Sequence, residues 1–396
     1  MSKRRQVRPL APGRRMASVL ALAGLALAAL AGCGNVAGHP PAVPKPAGPA
    51  ALALNMAADA AGATWATAPM GAASGADSFW QLFVLPAGGH RWSLQTPPDI
   101  ATNGAIVLAA PAAAGQTLVA GVRPSLDLGF SPITRTSDLG RHWTASPPQS
   151  GLADVPDALA AAPDGHLLAL GQDGGVTVSA GATAAWTTMT TGRALAGSLT
   201  GCGLAGLTAA AYTPAGTPLV AGTCTRAGQA AVLGYTGGAW HRVSPHLPAG
   251  LNEQQIRVLR LTRTSHGDVA LLAAGTGPPV RLLAAWTSDG GQHWALSPVL
   301  QAGHAAVSAS VGAGGGLGVV LAGKRAEIIA GPGSPWQATP VLPDGRTVTL
   351  ALPSGGGTAA LAAGAGTLTA WQLSGHPAAW VKAQSIRVPI QYGSSN

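Results

Sequence analysis

Charge is scarce in this chain: Asp, Glu, Lys and Arg make up 9% of its 396 residues, aromatic residues 4%, and there are three cysteines. The formal net charge is +9, yet six of the 23 basic residues (Lys3, Arg4, Arg5, Arg8, Arg14 and Arg15) fall in the first 15 positions, which leaves 17 against 14 acidic residues, a net +3, for everything after them. So small an excess on so long a chain, with no Lys/Arg cluster and no basic helix, is no footprint for nucleic acid. Two cysteines beyond Cys33 are too few for a thiolate metal site, and no metal, nucleotide or flavin motif is present, so neither a metal nor a cofactor is expected. Long apolar runs are missing as well. The one extended stretch, MASVLALAGLALAAL at positions 16–30, is shorter than the ~20 residues that cross a bilayer as a helix.

That stretch follows the basic segment directly, and the two together have the layout of an export signal. It ends in Leu30-Ala31-Gly32-Cys33, which resembles the lipobox of bacterial lipoproteins. The resemblance implies that residues 1–32 are a signal peptide, that Cys33 carries the lipid, and that the mature chain sits outside the cytoplasm on the cell membrane. Arg14-Arg15 lacks most of the motif that surrounds a twin-arginine export pair. Residues 33–51 are then the lipidated cysteine and a Pro/Ala/Gly-rich tether without apolar periodicity. In that setting Cys202 and Cys224 can keep a disulfide. Cys202 stands just before LAGLTAAAY and Cys224 ends TPLVAGTC, with the turn TPAG between. If the two runs are neighbouring antiparallel strands, the thiols meet on one rim.

From 52 to 396 the texture is short apolar runs broken by Gly and Pro, which number 56 and 32. Breaks every 8 to 12 residues suit short strands and not long helices, so an all-β body is expected. A dozen residues occur nearly twice: TSDLGRHWTASP from Thr136 and TSDGGQHWALSP from Thr287. Both fit S/T-x-D-x-G-x-x-W, through Thr136, Asp138, Gly140 and Trp143 in one copy and Thr287, Asp289, Gly291 and Trp294 in the other. The Asp can accept from backbone N–H groups of a tight turn, the Gly can take positive φ, and the Trp can bury its indole between sheets. The motif resembles the Asp-box, or BNR repeat, of sialidase-like β-propellers, with His142 and His293 where Ser or Thr usually precedes the Trp.

Turn-then-Trp units recur at Trp92, Trp143, Trp186, Trp240, Trp294, Trp336 and Trp380, 42 to 54 residues apart, and a Pro follows most of them within six positions. Three or four strands per unit predict a seven-bladed propeller, with six or eight blades left open because Ala-rich strands alternate faintly. Five of the seven hairpins must close without the Asp. The last stretch, SIRVPIQY from Ser385, is expected to add an edge strand to the first blade.

In the family resembled, the Asp-box turns lie away from the ligand. The loops of the opposite rim then offer Arg123 and Asp127, Arg193, and Arg226 as candidate ligand contacts. The expected function is a non-catalytic binding or scaffolding ring for a protein, glycan or cell-wall ligand, monomeric and held to the membrane by lipid. The alternative is a sialidase-like glycosidase, which would need a Tyr paired with Glu, an acid/base Asp and three arginines on a carboxylate. The Phe/Tyr-Arg-Ile-Pro motif that opens such enzymes is missing. Glu253 and Glu327 are the available glutamates, and Tyr392 is the one tyrosine late enough in the chain. No catalytic residue is therefore assigned.

Overall fold

A computed structural model describes residues 56–59, 61–70, 79–98, 106–109, 118–121, 132–146, 152, 155–199, 201–275, 279–322, 324–344, 347–353, 356–364 and 366–388. Cys33, Arg123, Asp127 and Tyr392 lie outside them. Twenty-nine strands are described, each short and rich in small or β-branched residues, with Gly at positive φ in many of the turns. Four consecutive strands pair as an antiparallel meander, and this happens seven times: Met56–Leu94, Val107–Ala145, Ala158–Thr190, Leu204–Arg242, Ile256–Leu296, Ala306–Ala338 and Thr347–Arg387. A single bridge, Thr223 to Arg257, fuses the fourth and fifth units into one larger sheet. The all-β propeller expected from the sequence is what these strands build.

Apolar packing decides how the units sit. Seven clusters of buried side chains are present, and each fills the gap between two consecutive units, including one that joins the seventh to the first through Met56, Phe83, Leu361 and Leu368. The ring is therefore closed by side-chain burial, the dominant favourable contribution to folding. Alanine is abundant in the inner strands, and its short side chain lets neighbouring sheets approach closely where the units converge.

Ring closure differs from expectation. Ser385, Ile386 and Arg387 pair with Thr369, Leu368 and Thr367, so the described part of the stretch from Ser385 completes the outer strand of the seventh unit, and residues 389–392 lie outside the described residues. Gln384 reaches across: its Oε1 accepts from the Trp92 backbone N–H at 2.8 Å and its Nε2 donates to the Trp92 carbonyl at 2.9 Å. Val388 is buried in the same seam. A second difference is a helix at Gly192–Ser198, capped by Thr191, whose hydroxyl accepts from Ala194 N–H. Glycine and alanine gave that segment no helical period, but Thr191 is a good N-cap and Leu195 anchors the turn in the core.

The disulfide forms as drawn from the sequence. Cys202 and Cys224 are bonded, with Cα atoms 5.0 Å apart. Cys224 pairs in register with Leu204, two residues after Cys202, on the first two strands of the fourth unit.

Candidate functional site

The two repeated turns have the same hydrogen bonds. Thr136 Oγ1 accepts from Gly140 N–H at 2.9 Å and donates to Asp138 Oδ1, which also accepts from His142 N–H at 3.0 Å. Thr287, Asp289, Gly291 and His293 repeat this at 2.8 to 3.0 Å. The histidines add a second clamp, with Nδ1 at 2.5 Å and 2.7 Å from the other carboxylate oxygen of Asp138 and Asp289. The His142 backbone N–H, then its ring, hold the Asp138 carboxyl down at about 2. Asp289 is lowered for the same reasons. Gly140 and Gly291, at φ +83° and +91°, press against Gln95 and Val243 at the outer edge of the preceding unit. These carboxylates are committed to turn geometry.

Tryptophan links units in the second half of the ring. The indoles of Trp294, Trp336 and Trp380 donate to the carbonyls of Val243, Pro298 and Pro340, each on the preceding unit's exit, at 2.7, 2.9 and 3.1 Å. Pro298 and Pro340 are prolines that follow Trp294 and Trp336 in the repeat. Where the Asp is missing, other devices close the hairpin. Ser179 takes the place of the motif's threonine and accepts from Gly181 N–H, and Gly237-Gly238 makes a two-residue turn.

On the ring axis lies a cavity of about 510 Å³. Its wall is the C-terminal half of the first strand in units one to six, and its mouth is made by the turns that follow, at Asp59, Pro163, Pro214, Ser265 and Ala313. In an antiparallel meander these turns share a rim with the turns between third and fourth strands, so the cavity opens on the rim that carries Asp138 and Asp289. The resemblance pointed to the other rim. Most of the wall is Ala, Leu, Val and Met, with Tyr212 beside them. Among the described residues two charged ones line it, Asp59 and Arg263. Asp59 is occupied: its oxygens accept from Ala63 N–H at 2.8 Å and Trp65 Nε1 at 3.1 Å.

Arg263 belongs to a run, Arg257, Arg260 and Arg263, on the innermost strand Ile256–Thr264 of the fifth unit. The strand carries a bulge between Val258 and Arg260, and in the resulting register Arg260 and Arg263 are three pairing steps apart, on opposite faces of the strand. Arg260 is buried and donates through Nη2 to the Ala309 carbonyl of the sixth unit at 3.1 Å. Arg263 has a buried Nη1 with no hydrogen-bond partner among the described residues. Directly opposite it on the next strand is Asp268, 1% exposed, whose two carboxylate oxygens also have no such partner. Burial pushes the Asp268 carboxyl up to about 8, with the Arg263 charge pulling the other way. Burial likewise lowers the Arg263 guanidinium, and Asp268 opposes this.

No family model matches the chain, and no curated protein matches it. Solved structures do. A Bacteroides uniformis protein described as a candidate 6-phosphogluconolactonase is 14% identical, with a TM-score of 0.50, over 81% of this chain and 96% of its own. YCF48 from Cyanidioschyzon merolae is 11% identical, with a TM-score of 0.46, over 82% of this chain and 92% of its own. A structure of YCF48 bound to D1 peptide is 13% identical, with a TM-score of 0.43, over 73% of this chain and 81% of its own. The likeness is one of fold.

The residues singled out for the opposite rim are only partly in view. Arg193 is exposed on the helix between the third and fourth units, and Arg226 is exposed in the loop between the second and third strands of the fourth. Arg226 Nη1 lies 3.5 Å from the Gly201 carbonyl, next to the disulfide. Arg263 and Asp268 were not among the sequence candidates, although three arginines within seven residues of a chain so poor in charge are a signal. Glu327 is buried and accepts from Arg325 Nη2 at 2.9 Å, away from the cavity wall. Among the described residues no group of three or more His, Cys, Asp or Glu could hold a metal ion, and no helix is long and apolar enough to cross a membrane.

Proposed function

We propose that the chain is a non-catalytic binding ring, anchored outside the cytoplasm by lipid on Cys33 and by the tether at 33–51, and that its ligand enters the axial cavity. The cavity carries this reading. It is concave, mostly apolar and large enough for a small ligand or a side-chain-sized projection of a larger one, and its wall includes one arginine, Arg263, whose Nη1 has no hydrogen-bond partner among the described residues. Its other charged residue, Asp59, is engaged by backbone and indole donors and is poorly placed to act as an acid or base. A ring of packed sheets on a Pro/Ala/Gly-rich tether suits a binding or scaffolding role at a membrane surface.

Two measurements test the reading together. Metabolic labelling with a fatty acid is expected to tag the wild-type protein and not Cys33→Ala. A fluorogenic sialoside is expected to show no turnover with purified protein. Equal absence of label in both forms would remove the anchor, and turnover would move the assignment to the sialidase-like alternative.

A further inference from the structure

We propose that the axial cavity binds an apolar molecule that ends in a carboxylate, with the carboxylate on the Arg263 guanidinium and the apolar part against the Ala, Leu and Val wall. The inference rests on the reading of the cavity as the binding site and names the chemistry of what enters it.

Charge balance is the first support. Arginine stays protonated at neutral pH even when partly desolvated. Its cross-strand neighbour Asp268 is held largely neutral there by burial, because its carboxyl titrates at about 8. No ion pair joins the two, and Arg263 Nη1 donates to nothing among the described residues. Arg263 thus brings a positive charge to the cavity wall with no counter-ion on it, and an anion in the cavity supplies one through the guanidinium N–H groups that face it.

Shape and polarity narrow the anion. One arginine, with Asp59, the one carboxylate among the wall's described residues, already engaged, matches a single negative charge better than a dianion. A planar carboxylate fits the guanidinium fork, and its two oxygens can accept two parallel N–H bonds. Much of what a ligand would touch deep in the cavity is small and apolar, from Ala57, Leu108, Ala160, Ala210, Leu261 and Val311 on six different units, while Thr262, Thr264 and Tyr212 add hydroxyl-bearing side chains to the wall. Polar groups such as Ser265 stand at the mouth, where Ser265 Oγ donates to the Ala313 carbonyl at 2.8 Å and ties two neighbouring turns together. The carboxylate end therefore goes to Arg263, and an apolar segment of a few carbons fills the axis.

Such a terminus could be that of a peptide or of a free organic acid, and the test separates them. The full chain in lipid nanodiscs is titrated by calorimetry with N-acetyl-dialanine and with hexanoate, each against its own amide, with empty nanodiscs as blank. At least one acid is expected to bind about ten-fold or more tightly than its amide. Preference for the peptide acid assigns a peptide terminus, and preference for hexanoate assigns a free acid. Arg263→Gln is expected to abolish the preference and Arg263→Lys to keep part of it. Arg257→Gln, on the same strand but outside the cavity wall, is expected to leave it unchanged. If Arg263→Gln does not fold, Arg263→Lys and the acid–amide comparison decide alone. Equal binding of acids and amides, no binding of either acid, or an undiminished preference in Arg263→Gln would overturn the inference. Those results would leave the binding-ring reading in place, whereas sialoside turnover would remove that reading and leave acid binding measurable.

Discussion

Asp268 shows what single residues do in a chain that spends charge sparingly. Its side chain is buried on the strand beside Arg263 with no hydrogen bond to either oxygen. Because its folded carboxyl titrates at about 8, above the ordinary value of 3.8, the folded state holds a proton that the unfolded chain gives up earlier. The resulting stability is fully present below the unfolded value and is lost as pH rises from about 4 through about 8. Asp268→Asn keeps the shape and cannot ionise. The variant is expected to match wild type near pH 4 and to be more stable by about 1 kcal/mol or more near pH 9, roughly 2 °C or more in Tm. Thermal melts across that range check it, and parallel curves for the two proteins would mean that Asp268 does not titrate in the fold. The residue was invisible in the sequence for a physical reason. Strict alternation along the strand from Ile256 fails at Leu259, where the bulge adds a residue, so which of the three arginines meets the axis cannot be counted out.

At the scale of elements, the hairpins and their links to neighbours were the most legible part. Tryptophan is rare here and its spacing is long, so a blade-sized period stood out against an Ala/Gly background that hides strand alternation. What the spacing could not give was the partner of each indole, which is a carbonyl of the preceding unit in three cases. Gly291 belongs to the same contact. At φ +91°, a Cβ there would stand 2.8 Å from Val243 Cβ and 2.9 Å from its carbonyl oxygen, and a strand end cannot easily withdraw. Gly291→Ala is expected to cost about 1 to 3 kcal/mol, read as a lowered denaturation midpoint. An unchanged midpoint would show that the fourth and fifth units are not held by this turn. The cysteine pair was legible because only two thiols had to be placed, at the start of one run and the end of the next. Cross-linking residues 22 apart contributes about 3 kcal/mol by loop entropy. Cys202→Ala with Cys224→Ala is therefore expected to destabilise by about 2 to 4 kcal/mol, and reduction of wild type should lower the midpoint in the same direction. A midpoint indifferent to both would place the bond outside the cooperative fold.

For the whole molecule, closure of the ring creates the one feature that no segment of sequence contains. Six first strands converge to make the axial cavity, and several contribute short runs of small apolar residues that look alike, such as LAA at 159–161 or AA at 210–211. Apart from the arginines of the fifth unit's strand, nothing in any one of them marks a site, and the sequence pointed to arginines in loops on the other rim while the cavity opens beside the repeated turns. The central claim is that ligand enters at this cavity mouth. Photocrosslinking in the protein's own cells tests it most directly, with a benzophenone amino acid placed at Ser265, on the mouth, or at Arg226, on the opposite rim. The full-length protein is expected to yield a mass-shifted adduct from position 265 and none from position 226; an adduct from 226 with none from 265 would contradict the claim.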